Sequence, residues 1–89
     1  MTYLLEFSKE FDIIFEKLQK KNTKHREIIT KKLREILRNP EHYKPLRHDM
    51  KGYRRVHIDK SFVLIFKIEG NRIIVQDYGH HDDIYRRRY

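Results

Sequence analysis

The sequence predicts a small α+β domain over residues 1–89, with the element order β-α-α-β-β-β. The first half carries apolar residues at helical spacing in two consecutive segments. The second half carries a long apolar run between shorter segments of strand character. Helices that are segregated from a run of strands pack on one face of an antiparallel sheet. We therefore expect a twisted antiparallel sheet with a two-helix hairpin on one face.

The chain opens with a predicted strand and a predicted helix. Residues 3–7 form a short apolar-rich run. Ser8 follows, and its hydroxyl can cap a helix by accepting a hydrogen bond from an unpaired backbone N–H. The helix would end near Asn22, and it would present one apolar face made of Phe11, Ile14, Phe15 and Leu18.

A second helix follows directly, with Thr23 as its candidate N-cap. We expect it to end at Asn39, because the ring of Pro40 and its missing N–H prevent continuation. Its apolar stripe consists of Ile29, Leu33, Ile36 and Leu37. Two amphipathic helices joined by so few residues form an antiparallel hairpin whose apolar faces need a partner surface.

Three further strands supply that surface. Residues 53–58 alternate between two sets of side chains, and residues 62–68 form a nearly continuous apolar run typical of a strand buried on both faces. Residues 69–72 predict a tight turn, and residues 73–75 begin the next strand. These strands form an antiparallel meander.

Composition narrows the classes of function. The chain has 21 Lys and Arg against 13 Asp and Glu, a formal net charge of +8, which favours a polyanionic partner such as nucleic acid. Cysteine is absent, which excludes disulfides and a thiolate nucleophile. No apolar run approaches the roughly 20 residues that a membrane span needs. We expect a soluble, cytoplasmic protein without membrane association.

Strand alternation places polar side chains on the sheet face that the helices leave open. Tyr53, Arg55 and His57 share one face of their strand, because alternate side chains point the same way. The alternative is a solvated face without a function, which antiparallel sheets commonly have.

A second polar group follows Gly79 near the end of the chain. It contains His80, His81 and Tyr85. Histidine titrates near neutral pH and can act as an acid or a base. Metal-independent RNA cleavage needs a base for the 2′-hydroxyl, an acid for the leaving 5′-oxygen and cations at the phosphate. His57, one of the paired histidines and Arg55 supply these groups if their strands are neighbours; the alternative is solvated surface histidines.

No cofactor or metal is predicted. The chain has no cysteine, and the His-His-Asp-Asp run lacks the ligand spacing of tetrahedral zinc sites. Further basic side chains are candidate contacts to an RNA backbone, where Lys and Arg supply affinity and register. They are Arg47, Lys51, Arg54, Lys60, Arg86, Arg87 and Arg88. The alternative is a plain loop over residues 44–52 and a solvated basic tail.

The order of these motifs resembles the RelE/ParE superfamily of toxins from toxin–antitoxin systems. The resemblance covers essentially the whole chain. Its most specific parts are PLRH, which leads to Gly52, and GHH, which leads to Ile84 and Tyr85.

The resemblance implies a ribosome-dependent mRNA endonuclease that a cognate antitoxin holds inactive. The family's base on the first meander strand corresponds to His57, and its companion lysine to Arg55. The arginine of the Gly-x-Arg element corresponds to His81, and the tyrosine that stacks on a substrate base to Tyr85. In the YoeB branch, a histidine acid corresponds to His80. The antitoxin would be acidic, partly helical and ordered on binding.

One departure from the family pattern opens alternatives. Val63 stands where the family commonly has an arginine that holds the scissile phosphate, and Lys60, Arg47 or Arg55 would have to replace it. The alternatives are a ParE-like topoisomerase inhibitor, a degenerate toxin that acts through its antitoxin, and a generic RNA-binding module.

Overall fold

The computed structural model describes residues 2–45 and 52–87. The expected RNA contacts Arg47, Lys51 and Arg88 lie outside the described residues. The elements are β1 (Leu4–Phe7), α1 (Lys9–Lys21), α2 (Thr23–Arg38), a 3-10 turn (Pro40–His42), β2 (Tyr53–Ile58), β3 (Phe62–Glu69), β4 (Arg72–His80) and α3 (His81–Arg86). The six predicted elements are present, and α3 is an addition to them.

The helix boundaries follow from side-chain caps. Ser8 caps α1 as predicted: its hydroxyl accepts the Phe11 N–H at 3.0 Å and donates to the Gln76 carbonyl at 2.7 Å. The prediction that Thr23 caps α2 is wrong. The N-cap is Asn22, whose side-chain oxygen accepts the His25 N–H at 3.0 Å, and Thr23 is the first helical residue. An Asn is at least as good a cap as Thr, and here it joins the helices with a single residue.

The sheet is mixed rather than wholly antiparallel. Its strand order is β1-β4-β3-β2, and β2, β3 and β4 form the predicted antiparallel meander. The first strand pairs parallel with the last, from Leu4 opposite Arg72 to Phe7 opposite Val75. The chain between these two strands contains both helices and also β2 and β3, so it is long enough for a parallel pair. The all-antiparallel expectation is therefore corrected at this edge.

The main core lies between the helical hairpin and one face of the sheet. Its fully buried members include Phe11, Ile29, Ile36, Ile58, Leu64, Phe66, Ile73 and Val75. The prediction that residues 62–68 form a strand buried on both faces is confirmed over its centre. Leu64 and Phe66 belong to this core, whereas Val63 and Ile65 are buried on the opposite face.

Residues 81–86, which follow β4, form a short helix. Strand β4 continues to His80, whose Nδ1 accepts the Asp82 N–H at 3.2 Å and so caps α3. Ile84 is fully buried and covers Val63 and Ile65 on the face opposite the hairpin. Within the described ranges, no helix is long and apolar enough to cross a lipid bilayer.

Candidate functional site

The alternation predicted for β2 is observed. Arg55 lies opposite Ile65 and His57 opposite Val63 in the antiparallel ladder. Directly opposed residues share a face, and Val63 and Ile65 belong to the apolar cluster away from the helical hairpin. Tyr53 packs against that same cluster. Arg55 and His57 therefore project from the face that α1 and α2 leave open.

Two of the expected site residues meet across the sheet. The Arg55 guanidinium donates a hydrogen bond to the Tyr85 hydroxyl at 2.5 Å, although the residues are 30 positions apart. Tyr85 reaches β2 because α3 crosses the open face from β4. The residue is 42% exposed, so it can be reached by a ligand. The sequence indicated both residues but not this contact.

The expectation that the histidine-bearing strands are neighbours is wrong. Strand β3 lies between β2 and β4, because the meander places its middle strand in the middle of the sheet. His57 is opposite Val63, which is opposite Gly79. Adjacent strands are about 4.8 Å apart, so the backbones at His57 and Gly79 are separated by about 10 Å. The side chain of His57 is exposed to solvent.

The paired histidines have different surroundings. His80 lies opposite Phe62, and their rings are in edge-to-face contact with centroids 5.5 Å apart. Phe62 packs on the core under the hairpin, so His80 is both a helix cap and a packing residue. His81 begins α3, and its Nδ1 is 2.9 Å from an Asp82 carboxylate oxygen. The two imidazole centroids are 4.5 Å apart.

Among residues 2–45 and 52–87, these two histidines and Asp82 form the group that could bind a metal ion. One ligand atom from each lies within 4.8 Å of the others. The three residues are consecutive at a strand–helix junction, and Asp82 is exposed. A tetrahedral ion would need at least one further ligand, such as water, to complete its coordination.

Four of the basic side chains expected to contact RNA belong to the described residues, and they divide into two pairs. Lys60 and Arg86 are exposed, and Arg86 lies 3.9 Å from Asp83. Arg54 points toward the hairpin side, where its guanidinium donates to the Tyr43 carbonyl at 2.6 Å. The guanidinium of Arg87 pairs with a buried carboxylate of β4. Arg54 and Arg87 are therefore engaged within the fold.

Sequence reasoning missed a buried polar group beneath α2. His25 is 5% exposed; its Nδ1 is hydrogen-bonded to the Tyr78 hydroxyl, and its Nε2 lies 3.3 Å from Asp59. Burial, and secondarily the Asp59 charge, raises the pKa of Tyr78 to about 12. The sequence did contain a signal for this burial. His25 lies one helical turn before Ile29 and therefore on the apolar face of α2.

Comparison with known protein families assigns the chain to a family. Residues 2–85 match the family model described as the ParE toxin of type II toxin–antitoxin systems, parDE. The chain belongs to this toxin family. The predicted membership of the RelE/ParE superfamily is thereby confirmed.

Two archaeal relatives of the toxin cover nearly its whole length. A Methanocaldococcus jannaschii protein provisionally named toxin RelE4 is 46% identical over 88 residues, which are 97% of this chain and 94% of that protein. An uncharacterised Methanosarcina mazei protein is 52% identical over 85 residues, which are 93% and 99% of the two chains.

Solved structures share the fold of the toxin. A YoeB/ParE toxin from Agrobacterium tumefaciens superposes with a TM-score of 0.77 at 23% identity, covering 86% of this chain and 96% of that one. The Staphylococcus aureus YoeB–YefM complex gives 0.79 at 21%, covering 91% and 99%. The Escherichia coli DinJ–YafQ toxin–antitoxin complex gives 0.77 at 20%, covering 96% and 99%.

In this toxin, Val63, which replaces the arginine of the family pattern, lies in an apolar cluster. Val63 is 1% exposed and lies in one cluster with Ile84 and Ile65. An arginine at this position would place a charge under Ile84, where burial without a partner is costly. On the same face of the sheet, the neighbouring cation is Arg55, which is partly buried and whose ladder partner Ile65 is two residues after Val63.

Proposed function

We propose that this toxin is a metal-independent endoribonuclease that cleaves mRNA in the ribosomal A site and so inhibits translation. The observation that carries the proposal is the contact between Arg55 and Tyr85 on the open face of the sheet. His57 lies two residues from Arg55 on the same face of β2. Strand β2 thus carries a cation and an exposed imidazole on one face, and α3 places the partly exposed ring of Tyr85 against that cation.

These groups match the steps of RNA cleavage by internal attack. His57 takes the proton of the 2′-hydroxyl as its oxygen attacks the phosphorus, and the bond to the leaving 5′-oxygen breaks. A second histidine protonates that 5′-oxygen, which gives a 2′,3′-cyclic phosphate and a 5′-hydroxyl end. The Arg55 guanidinium stabilises the charge that builds on the phosphate. Tyr85 stacks on a nucleotide base and holds the strand in register.

We assign the acid to His81 rather than to His80. The Nδ1 of His80 already accepts the Asp82 N–H, and its ring packs on Phe62. His81 has its Nδ1 2.9 Å from an Asp82 carboxylate oxygen, a contact that orients the imidazole and leaves its Nε2 for the leaving oxygen. The backbones at His57 and at Gly79, two residues before His81, are about 10 Å apart, a span that a phosphodiester with a hydrogen bond of about 3 Å on either side can bridge.

The charge of the toxin suits a polyanionic substrate in the cytoplasm. The net charge is +8, and Lys60 and Arg86 are exposed. Contacts of this kind give affinity for the phosphate backbone without reading the sequence. We therefore propose that the ribosome supplies the selection of the cleavage point.

A cognate antitoxin is the second proposed partner. Two structural relatives were solved as complexes, YoeB with YefM and DinJ with YafQ. For this basic toxin we propose an acidic, partly helical antitoxin that orders on binding and covers the hairpin and the open face. Pull-down with the product of the adjacent reading frame tests this, and failure to recover a small acidic protein contradicts it.

A second candidate function is a toxin without nuclease activity, which acts on a topoisomerase or through its antitoxin. The observation that favours it is Val63, because an apolar, buried residue replaces the arginine that the family commonly uses. This candidate assigns no role to His57.

Primer extension on mRNA in translating ribosomes tests the proposal. We expect new transcript ends with the wild-type toxin and their loss with His57→Ala. The matched control is His42→Ala, because His42 is an exposed histidine of the 3-10 turn. Intact transcripts at high toxin dose overturn the proposal. Inhibited supercoiling in a parallel gyrase assay would then support the second candidate.

A further inference from the structure

Three side chains lie in one row across the open face of the sheet. Arg55 on β2 is opposite Ile65 on β3, which is opposite Asp77 on β4. The row thus carries a cation at one end, an apolar residue in the middle and an acid at the other end. It runs across the part of the sheet that α3 covers.

Each member of the row has a partner in the C-terminal segment. Arg55 donates to the Tyr85 hydroxyl, and Ile65 packs with Ile84. Asp77 accepts a hydrogen bond from the Arg87 guanidinium. The segment is therefore fastened at both ends of the row and at its centre.

The acidic end of the row is the buried one. Asp77 is 1% exposed, whereas the side chain of Arg87 is 48% exposed. The second carboxylate oxygen of Asp77 accepts the Tyr78 N–H at 2.8 Å. A buried carboxylate is stable only when it is paired and hydrogen-bonded. Asp77 therefore strongly favours the conformation in which the Arg87 guanidinium is paired with it.

Helix α3 needs such a fastening because it is short. It has six residues, and isolated helices of this length are not stable in water. Arg87 is its C-cap residue and follows Tyr85 by two positions. Seating Arg87 on Asp77 therefore also fixes where Tyr85 lies over β2.

We propose that Asp77 is a positioning residue for Tyr85. Through Arg87 it holds α3 against the sheet, so that the Tyr85 hydroxyl stays on Arg55 and the ring is presented to the RNA. The proposal deepens the proposed function and rests on it for its catalytic consequence. The mechanical part, that Asp77 holds α3 in place, can be measured without any substrate.

The activity test is a double-mutant cycle with Asp77→Asn and Tyr85→Ala. We expect each change to lower kcat for mRNA cleavage by about tenfold or more, because small misplacements of binding groups are costly. The kcat of the double variant should lie within about twofold of the kcat of the less active single variant, because both changes remove the same contact. Effects that multiply fully would overturn the positioning role.

The matched control for this cycle is Asp83→Asn. Asp83 lies in α3, as Tyr85 does, but it is exposed to solvent. Its ion pair with Arg86 is long, at 3.9 Å. We expect this control to alter kcat by less than about twofold and to combine with Tyr85→Ala independently. A control that matches Asp77→Asn in size would also overturn the proposal.

The structural test is hydrogen exchange at the backbone amides of residues 82–87. We expect faster exchange there in Asp77→Asn and in Arg87→Gln, with α2 unchanged, and protection retained in Arg87→Lys. The Arg87 variants also serve if Asp77→Asn does not fold, since Arg87 is half exposed. Unchanged exchange in all variants overturns the proposal. If wild-type toxin cleaves no mRNA, the proposed function fails, and the exchange result still decides whether Asp77 holds α3.

Discussion

His25 and Tyr78 are joined by a hydrogen bond in the interior, 53 residues apart in sequence, between imidazole Nδ1 and phenol oxygen. The bond connects the first turn of α2 to the end of β4, just before Gly79 and the paired histidines. The other ring nitrogen of His25 lies 3.3 Å from Asp59, in the turn between β2 and β3. One buried imidazole thus links the hairpin to both ends of the candidate site.

Tyr78→Phe should destabilise the toxin. The change removes one partner of a buried imidazole nitrogen, and an unsatisfied buried polar group costs about 1–3 kcal/mol. Urea unfolding of the two proteins measures the difference. Tyr3→Phe is the matched control, because the Tyr3 ring is only partly buried; equal midpoints for Tyr78→Phe and the wild type would contradict the prediction.

The same tyrosine predicts a loss of stability at alkaline pH. The pKa of Tyr78 is raised to about 12 in the folded protein, against 10.0 ordinarily. Between these values the folded state binds the phenolic proton more tightly than the unfolded chain, so stability falls as pH rises. Unfolding midpoints from pH 9 to pH 12 should fall more steeply in the wild type than in Tyr78→Phe. Parallel curves would show that Tyr78 contributes nothing to this dependence.

The cap of α2 gives a matched pair of neighbouring substitutions. Asn22→Ala removes the side-chain oxygen that accepts the His25 N–H and should cost about 1 kcal/mol. Thr23→Ala changes the first helical residue, which performs no capping, and should alter stability by less than about 0.5 kcal/mol. Thermal or urea unfolding checks the order. A larger loss for Thr23→Ala would reverse the assignment of the cap.

The two adjacent histidines should respond differently to the same substitution. His80→Ala removes the cap of α3 and a ring contact with Phe62, so it should lower stability by about 1 kcal/mol. His81→Ala should leave stability within about 0.5 kcal/mol of the wild type. It should reduce mRNA cleavage by about 10²–10⁴-fold, the usual contribution of a general acid.

Unfolding curves and primer extension on both variants separate these roles. Cleavage that persists in His81→Ala and disappears in His80→Ala, with both proteins folded, would move the acid to His80.

Local patterns in the sequence were sufficient to predict most of the fold. The apolar stripe from Ile29 to Ile36 and the continuous run around Leu64 are periodic signals, and the structure places them in the core. Helix α2 ends at Arg38, just before Asn39 and Pro40, because the proline ring and its missing N–H prevent continuation. The pairing of β1 with β4 was not predictable, because no local pattern in residues 4–7 specifies a partner almost 70 residues away.

Helix α3 was missed for a related reason. Residues 81–86 carry one deeply buried apolar side chain, Ile84, and one contact is too little for a period to be recognised. The helix depends on the surface made by Val63 and Ile65, which exists only after the sheet has formed.

The candidate site was partly predictable. Alternation along β2 placed Arg55 and His57 on the correct face, because side chains alternate whatever the tertiary context. The contact of Arg55 with Tyr85 depends on the path of α3 and could not be inferred. The buried position of His25 was not predicted, because its polar partners Tyr78 and Asp59 come from distant parts of the sequence.

The parallel pairing of β1 with β4 has a consequence for how the toxin is made. Leu4 is synthesised almost 70 residues before its partner Arg72, and Ser8 long before residues 75 and 76, with which it forms hydrogen bonds. Closing so long a loop is slow and cannot begin until β4 has been synthesised. A nascent chain that still lacks β4 therefore cannot complete its sheet, and β1 remains an unpaired strand until then.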